Sequence, residues 1–325
     1  MSKAIRIHAH GGPETLRYEE VDPGRPGAGE VLIRHTAIGL NFIDVYYRTG
    51  LYPAPNGLPL IPGAEAAGVV EEAGPGIDWL RPGDRVAYAA ATGAYAEKRV
   101  IAADRLVKVP DGIGDEQAAA MMLKGMTAEY LLRRTFSVKE GDTILCHAAA
   151  GGVGLILGQW AKHLGAVTIG TAGSPDKVEL AKAHGFDHVI DYRKQDFVAE
   201  VAAITGGRKC DVVYDSIGKD TFPGSLDCLR PRGMFVSFGQ SSGPIPPFDI
   251  GLLSRKGSLF ATRPTLFTYN AGRADLEQSA AALFDVVLSG AVEISINQRY
   301  ALADAGKAHA DLENRLTTGA TILVP

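Results

Sequence analysis

Cysteine is scarce: Cys146, Cys210 and Cys228 are the three in 325 residues. They are too few and too scattered for a disulfide framework, and no Cys-x-x-Cys or Cys/His spacing suggests a structural metal. A reducing compartment is the expectation. An excess of one charge is missing as well. With 33 basic and 37 acidic residues the formal net charge is −4 and the pI about 6.1. The charges form no long like-sign blocks, so nothing draws the chain electrostatically to nucleic acid or anionic lipid. No apolar run reaches the roughly 18 residues of a membrane span, and the opening MSKAIRIHAH lacks the continuous apolar stretch of a secretory signal. A soluble cytoplasmic protein with a small-molecule partner is expected. Disorder is excluded, because 46% hydrophobic residues over this length can supply two cores.

Glycine is what the chain has in excess, 39 residues or about 12%, where about 7% is usual. No fixed period or low-complexity block explains it, so many tight turns do. Residues 1 to about 120 read as short strands broken by turn signals, at 4–8, 31–39, 67–70, 85–89 and 100–109. This is an all-β region with irregular excursions. The texture changes at Asp115. Residues 116–123 and 127–135 have helical composition, and from Asp142 apolar strands alternate with amphipathic helices. Such alternation predicts a parallel sheet with helices on both faces, ending in the strand candidate GSLFAT at 257–262. After Pro264 one long helix, about 273–289, leads into 293–300 and a closing strand at 320–324 with no helical partner of its own. The tail is expected to return to the first region, giving a discontinuous domain around a continuous one.

The sharpest motif is Ala148-Ala149-Ala150-Gly151-Gly152-Val153-Gly154, set between a strand at 142–147 and a helix that starts near Gly154. Dinucleotide folds need small residues here, so that the chain turns tightly, the backbone approaches the pyrophosphate and helix packs on strand. Ala149, Gly152 and Gly154 meet that need. The helix N-terminus then offers free N–H groups and partial positive charge to the phosphates. The next strand selects the nucleotide. An NAD site usually ends that strand in Asp or Glu about 20 residues past the glycines, to hold the ribose 2′-hydroxyl. The residues there are Thr171-Ala172-Gly173-Ser174, with Gly173 standing 22 positions past Gly151, and no carboxylate is among them. Ser174 and Lys177 suit a 2′-phosphate instead, which favours NADPH; a plain helix cap and a solvated lysine are the other reading. Tyr192, ending the following strand, could close over the adenine or the phosphate. Ser216 and Gly218 in DSIG and Phe238 and Gly239 in SFGQ are expected at further carboxyl ends of the parallel strands, the edge along which such sheets bind ligands.

The run GDTILCHAAAGGVGLILGQWAK, residues 141–162, resembles the signature of the quinone oxidoreductase and zeta-crystallin branch of the medium-chain dehydrogenase/reductase superfamily. GLNFIDVYYRTGLYP at 39–53, PGAEAAGVV at 62–70, LKGMTAEYLL at 123–132 and VVYDSIGKDT at 212–221 are similar to the same branch. The resemblance covers the whole chain. It implies an α/β protein with a GroES-like, β-rich catalytic domain at 1–125 and 263–325 and a doubly wound, parallel-sheet Rossmann domain at 126–262. It also adds Thr127 to the expected cofactor contacts and points to a homodimer, which the unblocked edge at 257–262 favours too.

Alcohol-dehydrogenase relatives hold a catalytic zinc through a Cys near the present Asn41 and a His in a Gly-His-Glu step. Here Asn41 stands in GLNFID and Ala64 in GAE. Both soft ligands are absent, as is the four-cysteine lobe of a structural zinc, so no metal is expected. Without a Lewis acid, reversible alcohol oxidation gives way to reduction of a more electrophilic acceptor. A quinone accepts hydride readily because the negative charge delocalises onto oxygen; the protein need only hold NADPH and acceptor in a dry cleft at near-attack distance. By the resemblance, Asn41, Asp44, Tyr46 and Tyr52 line that cleft, the tyrosines offering flat faces and phenolic donors. Tyr46 and Tyr47 packing on a short helix is the structural alternative. The expected activity is zinc-independent NADPH:quinone reduction. An enone or alkenal reductase is the nearest rival, and an NADPH-binding protein with a structural or RNA-binding role is the rival of another class. No basic, aromatic-interleaved strip supports RNA.

Overall fold

The computed structural model describes residues 2–325 and contains fifteen strands over that span. They run Ser2–Arg6 (β1), Arg17–Val21 (β2), Glu30–Leu40 (β3), Glu65–Ala73 (β4), Arg85–Ala89 (β5), Lys98–Ala102 (β6) and Val107–Lys108 (β7). Thr143–Cys146 (β8), Val167–Ala172 (β9), His188–Asp191 (β10), Cys210–Asp215 (β11), Leu229–Ser237 (β12) and Phe260–Thr262 (β13) follow. Ile296–Ala301 (β14) and Ala320–Val324 (β15) close the chain. The helices of eight residues or more are Phe42–Thr49 (α1), Asp115–Tyr130 (α2), Gly152–His163 (α3), Pro175–Ala183 (α4), Phe197–Ile204 (α5), Arg273–Leu288 (α6) and Ala305–Glu313 (α7). The chain divides into two units. Unit 1 comprises the residues up to Met126, Asn270–Leu288 and Ile294–Pro325; unit 2 comprises Thr127–Tyr269 and Ser289–Glu293.

Unit 1 holds a two-stranded β1–β2 ribbon and a seven-stranded sheet of order β14-β15-β3-β4-β5-β7, with β6 pairing β3. β3 organises the sheet because alternate residues, Val31, Ile33, His35 and Ala37, turn inward before both faces become buried from Ile38 to Leu40. Ile5, Ile33, Ile38, Leu80, Tyr88, Tyr95, Leu302 and Leu323 share the core. β14 and β15 are parallel, and parallel neighbours need a crossover segment. That crossover contains α7, so the closing strand does have a helical partner, contrary to the sequence expectation. Two other elements differ from expectation. The stretch 100–109 is interrupted by a 3₁₀ turn at Ala103–Arg105, and the helical segments expected at 116–123 and 127–135 are one helix, α2, closed by a π turn at Leu131–Thr135.

Unit 2 is a six-stranded parallel sheet of order β10-β9-β8-β11-β12-β13. Central strands β8 and β11 are buried along their whole length, which is why their sequences are apolar runs without alternation. α3, α4 and α5 each follow a strand, the crossover order of a doubly wound sheet. Leu145, Ile169, Ile190, Val201, Val213 and Phe235 form the core beneath them. The last strand, β13, is shorter than the expected 257–262 and its three residues are exposed.

Candidate active site

In unit 1 the site residues gather at the head of α1. Asn41 caps the helix from extended backbone, and Gly50 ends it in the left-handed conformation. The Asn41 N–H donates to Asp44 Oδ2 at 2.9 Å, the reach-back half of a capping box. The Asn41 side chain is fixed from another direction, since its Nδ2 donates to Glu65 Oε1 at 2.9 Å. Glu65 is fully buried and also receives the Lys124 ammonium on Oε1 and the Leu123 N–H on Oε2 at 2.7 Å. Lys124 thus neutralises the carboxylate that Ala64 leaves without a neighbouring ligand. Among the described residues no group of three His, Cys, Asp or Glu side chains is placed to hold a metal ion.

Asp44, expected to line the cleft, sits behind Asn41. It is completely buried, so its carboxyl has no surface to offer an acceptor. It accepts from the Tyr95 hydroxyl at 3.0 Å as well as from Asn41, while Oδ1 is buried without a hydrogen-bond partner. Burial pushes this carboxyl up to about 7 against the lowering effect of its two donors and of Lys124. Asp44 thereby anchors the Asn41 N–H at the start of α1. Tyr46 and Tyr52 do come together, with ring centroids 5.2 Å apart and a tilt of 58°, and the Tyr52 N–H donates to the Tyr46 carbonyl at 3.0 Å. Tyr47 packs edge-on to Tyr52 over Ile7 and Leu60.

In unit 2 the glycine motif turns from β8 into α3. Ala148 takes φ 55°, the Gly151 N–H returns to the Ala148 carbonyl at 2.9 Å, and Gly152 opens the helix, with Val153 next to it. A Cβ on Gly154 would stand 2.5 Å from the Ala148 carbonyl oxygen and 2.6 Å from that of Ala149. Only glycine lets the helix start this close to the turn. Beside the turn, β9 ends without a carboxylate. Ser174 caps α4, accepting from the Lys177 N–H at 3.4 Å, and Tyr192 lies over Gly173, where a Cβ would meet its hydroxyl oxygen at 2.5 Å. At the next strand ends Gly239 crosses Ser216 so closely that a Cβ would stand 2.7 Å from the Ser216 carbonyl; the Phe238 N–H donates to Asp215 at 2.8 Å, and Gly218 takes φ 90°. Thr127, buried in α2, opens this unit. The carboxylate-free strand end and a helix start that excludes any side chain fit a dinucleotide with a 2′-phosphate.

Two sets of residues escape the sequence reading. In unit 2, Asp215 accepts from the Ile217 and Gly218 N–H groups on one oxygen and from Thr221 and Ser225 on the other, and Ser225 meets His147 at 3.0 Å. This buried set shapes the loops at the strand ends. In unit 1, Tyr95, Glu65 and Lys124 adjoin the head of α1, and His309 links Tyr95 to Arg48 in its last turn. Lys124, a lone cation inside AAAMMLKGM, was a legible sign of a buried pair.

Residues 27–111 match the family described as the alcohol dehydrogenase GroES-like domain, and residues 152–285 match the family described as zinc-binding dehydrogenase. The chain is 53% identical over 326 residues to a protein of Pseudomonas aeruginosa named quinone oxidoreductase, covering 100% of both. It is similar at 46% identity to the 2-haloacrylate reductase of a Burkholderia species, covering 100% of this chain and 99% of that one. The crystal structure of Escherichia coli quinone oxidoreductase complexed with NADPH superimposes with a TM-score of 0.97 at 48% identity, over 99% of this chain and 100% of that one.

Proposed function

This chain belongs to the zinc-independent quinone oxidoreductase branch of the medium-chain dehydrogenase/reductase superfamily, and on that premise we propose that it is an NADPH:quinone reductase working by direct hydride transfer. The observation that carries the reading is the nucleotide cradle, closed to side chains at Gly154 and flanked by a strand end that holds Ser174 and Lys177 in place of an acid. Bound there, NADPH supplies the hydride. The chain's own residues bind and orient. N–H groups at the start of α3 take the pyrophosphate, Ser174 and Lys177 take the 2′-phosphate, and Tyr192 closes over Gly173. Thr127, Ser216, Gly218, Phe238 and Gly239 complete the cofactor site. In unit 1, Tyr46 and Tyr52 take the flat acceptor, and Asn41 presents an amide held by Glu65. The Lys124–Glu65 pair carries no net charge with which to hold a dication, which supports an activity independent of zinc.

The test is NADPH consumption with 1,2-naphthoquinone, with trans-2-hexenal and with no acceptor, repeated with NADH. Quinone turnover with preference for NADPH is expected; preference for NADH, or a stoichiometric zinc whose removal abolishes activity, overturns the reading. The relative named 2-haloacrylate reductase favours a second reading, reduction of an electron-poor alkene, which requires a proton for the carbon α to the acceptor group. The hexenal arm decides between them.

Two further parts of the reading concern assembly and location. The exposed edge β13, paired on one side by β12 and carrying Phe260 at 58% exposure, supports a homodimer through unit 2. A mass near 34 kDa by light scattering at micromolar concentration would reject it. The three cysteines are free and buried, and no helix among the described residues is long and apolar enough to cross a membrane. Both support a reducing, cytoplasmic setting, which cell fractionation tests.

A further inference from the structure

We propose that Arg48, His309 and Tyr95 are positioning residues: they form a one-way chain of hydrogen bonds that ends on Asp44 Oδ2 and so holds the head of α1, with Asn41 and Tyr46, in its working geometry. The functional half of this statement rests on the reading of α1 as part of the acceptor site. The chain itself rests on geometry alone.

Arg48 is 1% exposed although it is the basic residue of the last turn of α1. Its Nε donates to the Gly11 carbonyl at 3.1 Å, its Nη2 to Glu313 Oε1 at 2.8 Å, and its Nη1 lies 3.1 Å from His309 Nδ1. A guanidinium has donors and no acceptor. His309 Nδ1 is therefore the lone-pair nitrogen, and the proton of the neutral ring sits on Nε2. That nitrogen lies 3.0 Å from the Tyr95 oxygen, to which it donates. The single hydroxyl hydrogen of Tyr95 is then left for Asp44 Oδ2 at 3.0 Å. No step can be reversed without leaving a buried donor unpaired. Oδ2 also receives the Asn41 N–H, while Oδ1 has no hydrogen-bond partner.

The chain carries the influence of Arg48 to a carboxyl that it does not touch. Aligned neutral donors polarise one another, and two of them stand between the cation and Asp44. The other groups facing Asp44 are Lys124 from α2 and Glu65 from β4, with Tyr47 on its own helix. Lys124 is already paired to Glu65. Burial of the ring and the adjacent Arg48 charge hold His309 down at about 3, so it stays neutral at every pH of interest. The arrangement is not a proton relay, because an arginine does not give up its proton.

Two arms test the proposal in the full-length protein. Nitrogen-15 NMR of the histidines is expected to find His309 as the neutral Nε2–H form from pH 5 to pH 8; an Nδ1–H form or a cationic ring overturns the chain whatever the activity. The Asp44 carboxyl, identified by its loss in Asp44→Asn, is followed by infrared difference titration. In Tyr95→Phe its midpoint should move upward by about one unit, a tenfold gain in proton affinity, and the matching limb of the kcat/KM profile for 1,2-naphthoquinone should move with it while NADPH affinity holds. His309→Leu, which leaves the Tyr95 hydroxyl in place but removes its donor, should move the midpoint in the same direction by less. His309→Gln, which keeps an acceptor and a donor at opposite ends, should restore the wild-type midpoint. A midpoint unmoved in Tyr95→Phe and His309→Leu overturns the chain, and a midpoint that moves without the kinetic limb overturns its positioning role. Wild-type protein without quinone turnover would instead remove the functional reading, leaving the spectroscopic arms to decide the chain. If Tyr95→Phe does not fold, the Leu and Gln variants of His309 carry the same comparison.

Discussion

Each unit buries a polar network, and the two are built on different terms. In unit 2, His147 bridges Thr171 and Ser225 at 3.0 Å each, and Ser225 and Thr221 donate to Asp215. One carboxylate is answered by four neutral donors, all from the ten residues that follow it after β11. In unit 1 charges face charges: Lys124 stands on Glu65, and Arg48 stands on Glu313 at 2.8 Å. The partners come from far apart, Arg48 and His309 being separated by 261 positions. A parallel sheet delivers its polar residues to one edge by topology, whereas an antiparallel sheet must recruit them from wherever the chain returns. The network of unit 2 should therefore degrade gently and that of unit 1 abruptly.

The largest effect is expected from breaking the buried ion pair. Lys124→Met leaves Glu65 charged and uncompensated, at a cost of about 3–5 kcal/mol; pairing it with Glu65→Gln should recover a large part of that loss. Ser225→Ala removes one donor to Asp215 and leaves His147 a partner short, at a cost of about 1–3 kcal/mol. Urea unfolding read from Trp79 in unit 1 and Trp160 in unit 2 measures each network in place. Equal losses from the two single variants would erase the distinction.

Next is a ligand-dependent effect confined to unit 2. Lys177→Ala should raise the NADPH KM by about tenfold to a hundredfold and leave NADH use nearly unchanged, since a charge-assisted hydrogen bond contributes about 1.5–3 kcal/mol. An equal change with both cofactors would mean a damaged fold.

Acidification acts on the buried titratable groups of unit 1. Burial raises Asp44 from 3.8 to about 7, so its contribution to stability is complete below 3.8 and lost as pH rises through 7. Burial depresses His35 from 6.5 to about 4 and His309 to about 3, so their contribution is complete above 6.5 and lost as pH falls through those values. Between about pH 4.5 and 6 the unfolded chain holds two histidine protons where the folded unit holds one Asp44 proton. Stability should rise by about 1.4 kcal/mol per pH unit across that window. His147 in unit 2, also depressed by burial, acts in the same direction. In Asp44→Asn the slope should steepen towards two protons, read from urea midpoints at several pH values; a stability that falls with rising pH there would contradict the assignment.

What the sequence made legible follows the same division. The glycine turn, its strand and its helix are contiguous, so Gly151, Gly152, Val153 and Gly154 could be placed from spacing alone. The missing acid after β9 was readable for the same reason. Tyr95 and His309 were not, because nothing local marks them: His309 lies on α7, a nine-residue helix beginning Ala-Gly-Lys, too short to announce itself by periodicity. The burial of Asp44 was not legible either, since a carboxylate in FIDVYY looks the same in sequence whether it faces a ligand or caps its own helix.

The smallest effect should come from Tyr52→Phe, and it separates the two acceptor chemistries. The ring of Tyr52 is held by Tyr46 at 5.2 Å and by the edge of Tyr47 at 5.8 Å, contacts that do not use the hydroxyl. Phenylalanine keeps them and keeps the flat face. Reduced quinone oxygen is weakly basic and takes its proton from water, so no obligatory acid is required. Quinone turnover should fall by less than about fivefold, under about 1 kcal/mol of barrier, whereas Tyr52→Ala removes face and packing together and should raise the quinone KM as well. An alkenal differs because its α-carbon must be protonated, and a tyrosine acid would leave the Phe variant nearly inactive on that substrate. If Tyr52→Phe abolishes quinone turnover while NADPH still binds, the hydroxyl is an essential acid, and unit 1 supplies chemistry as well as a surface.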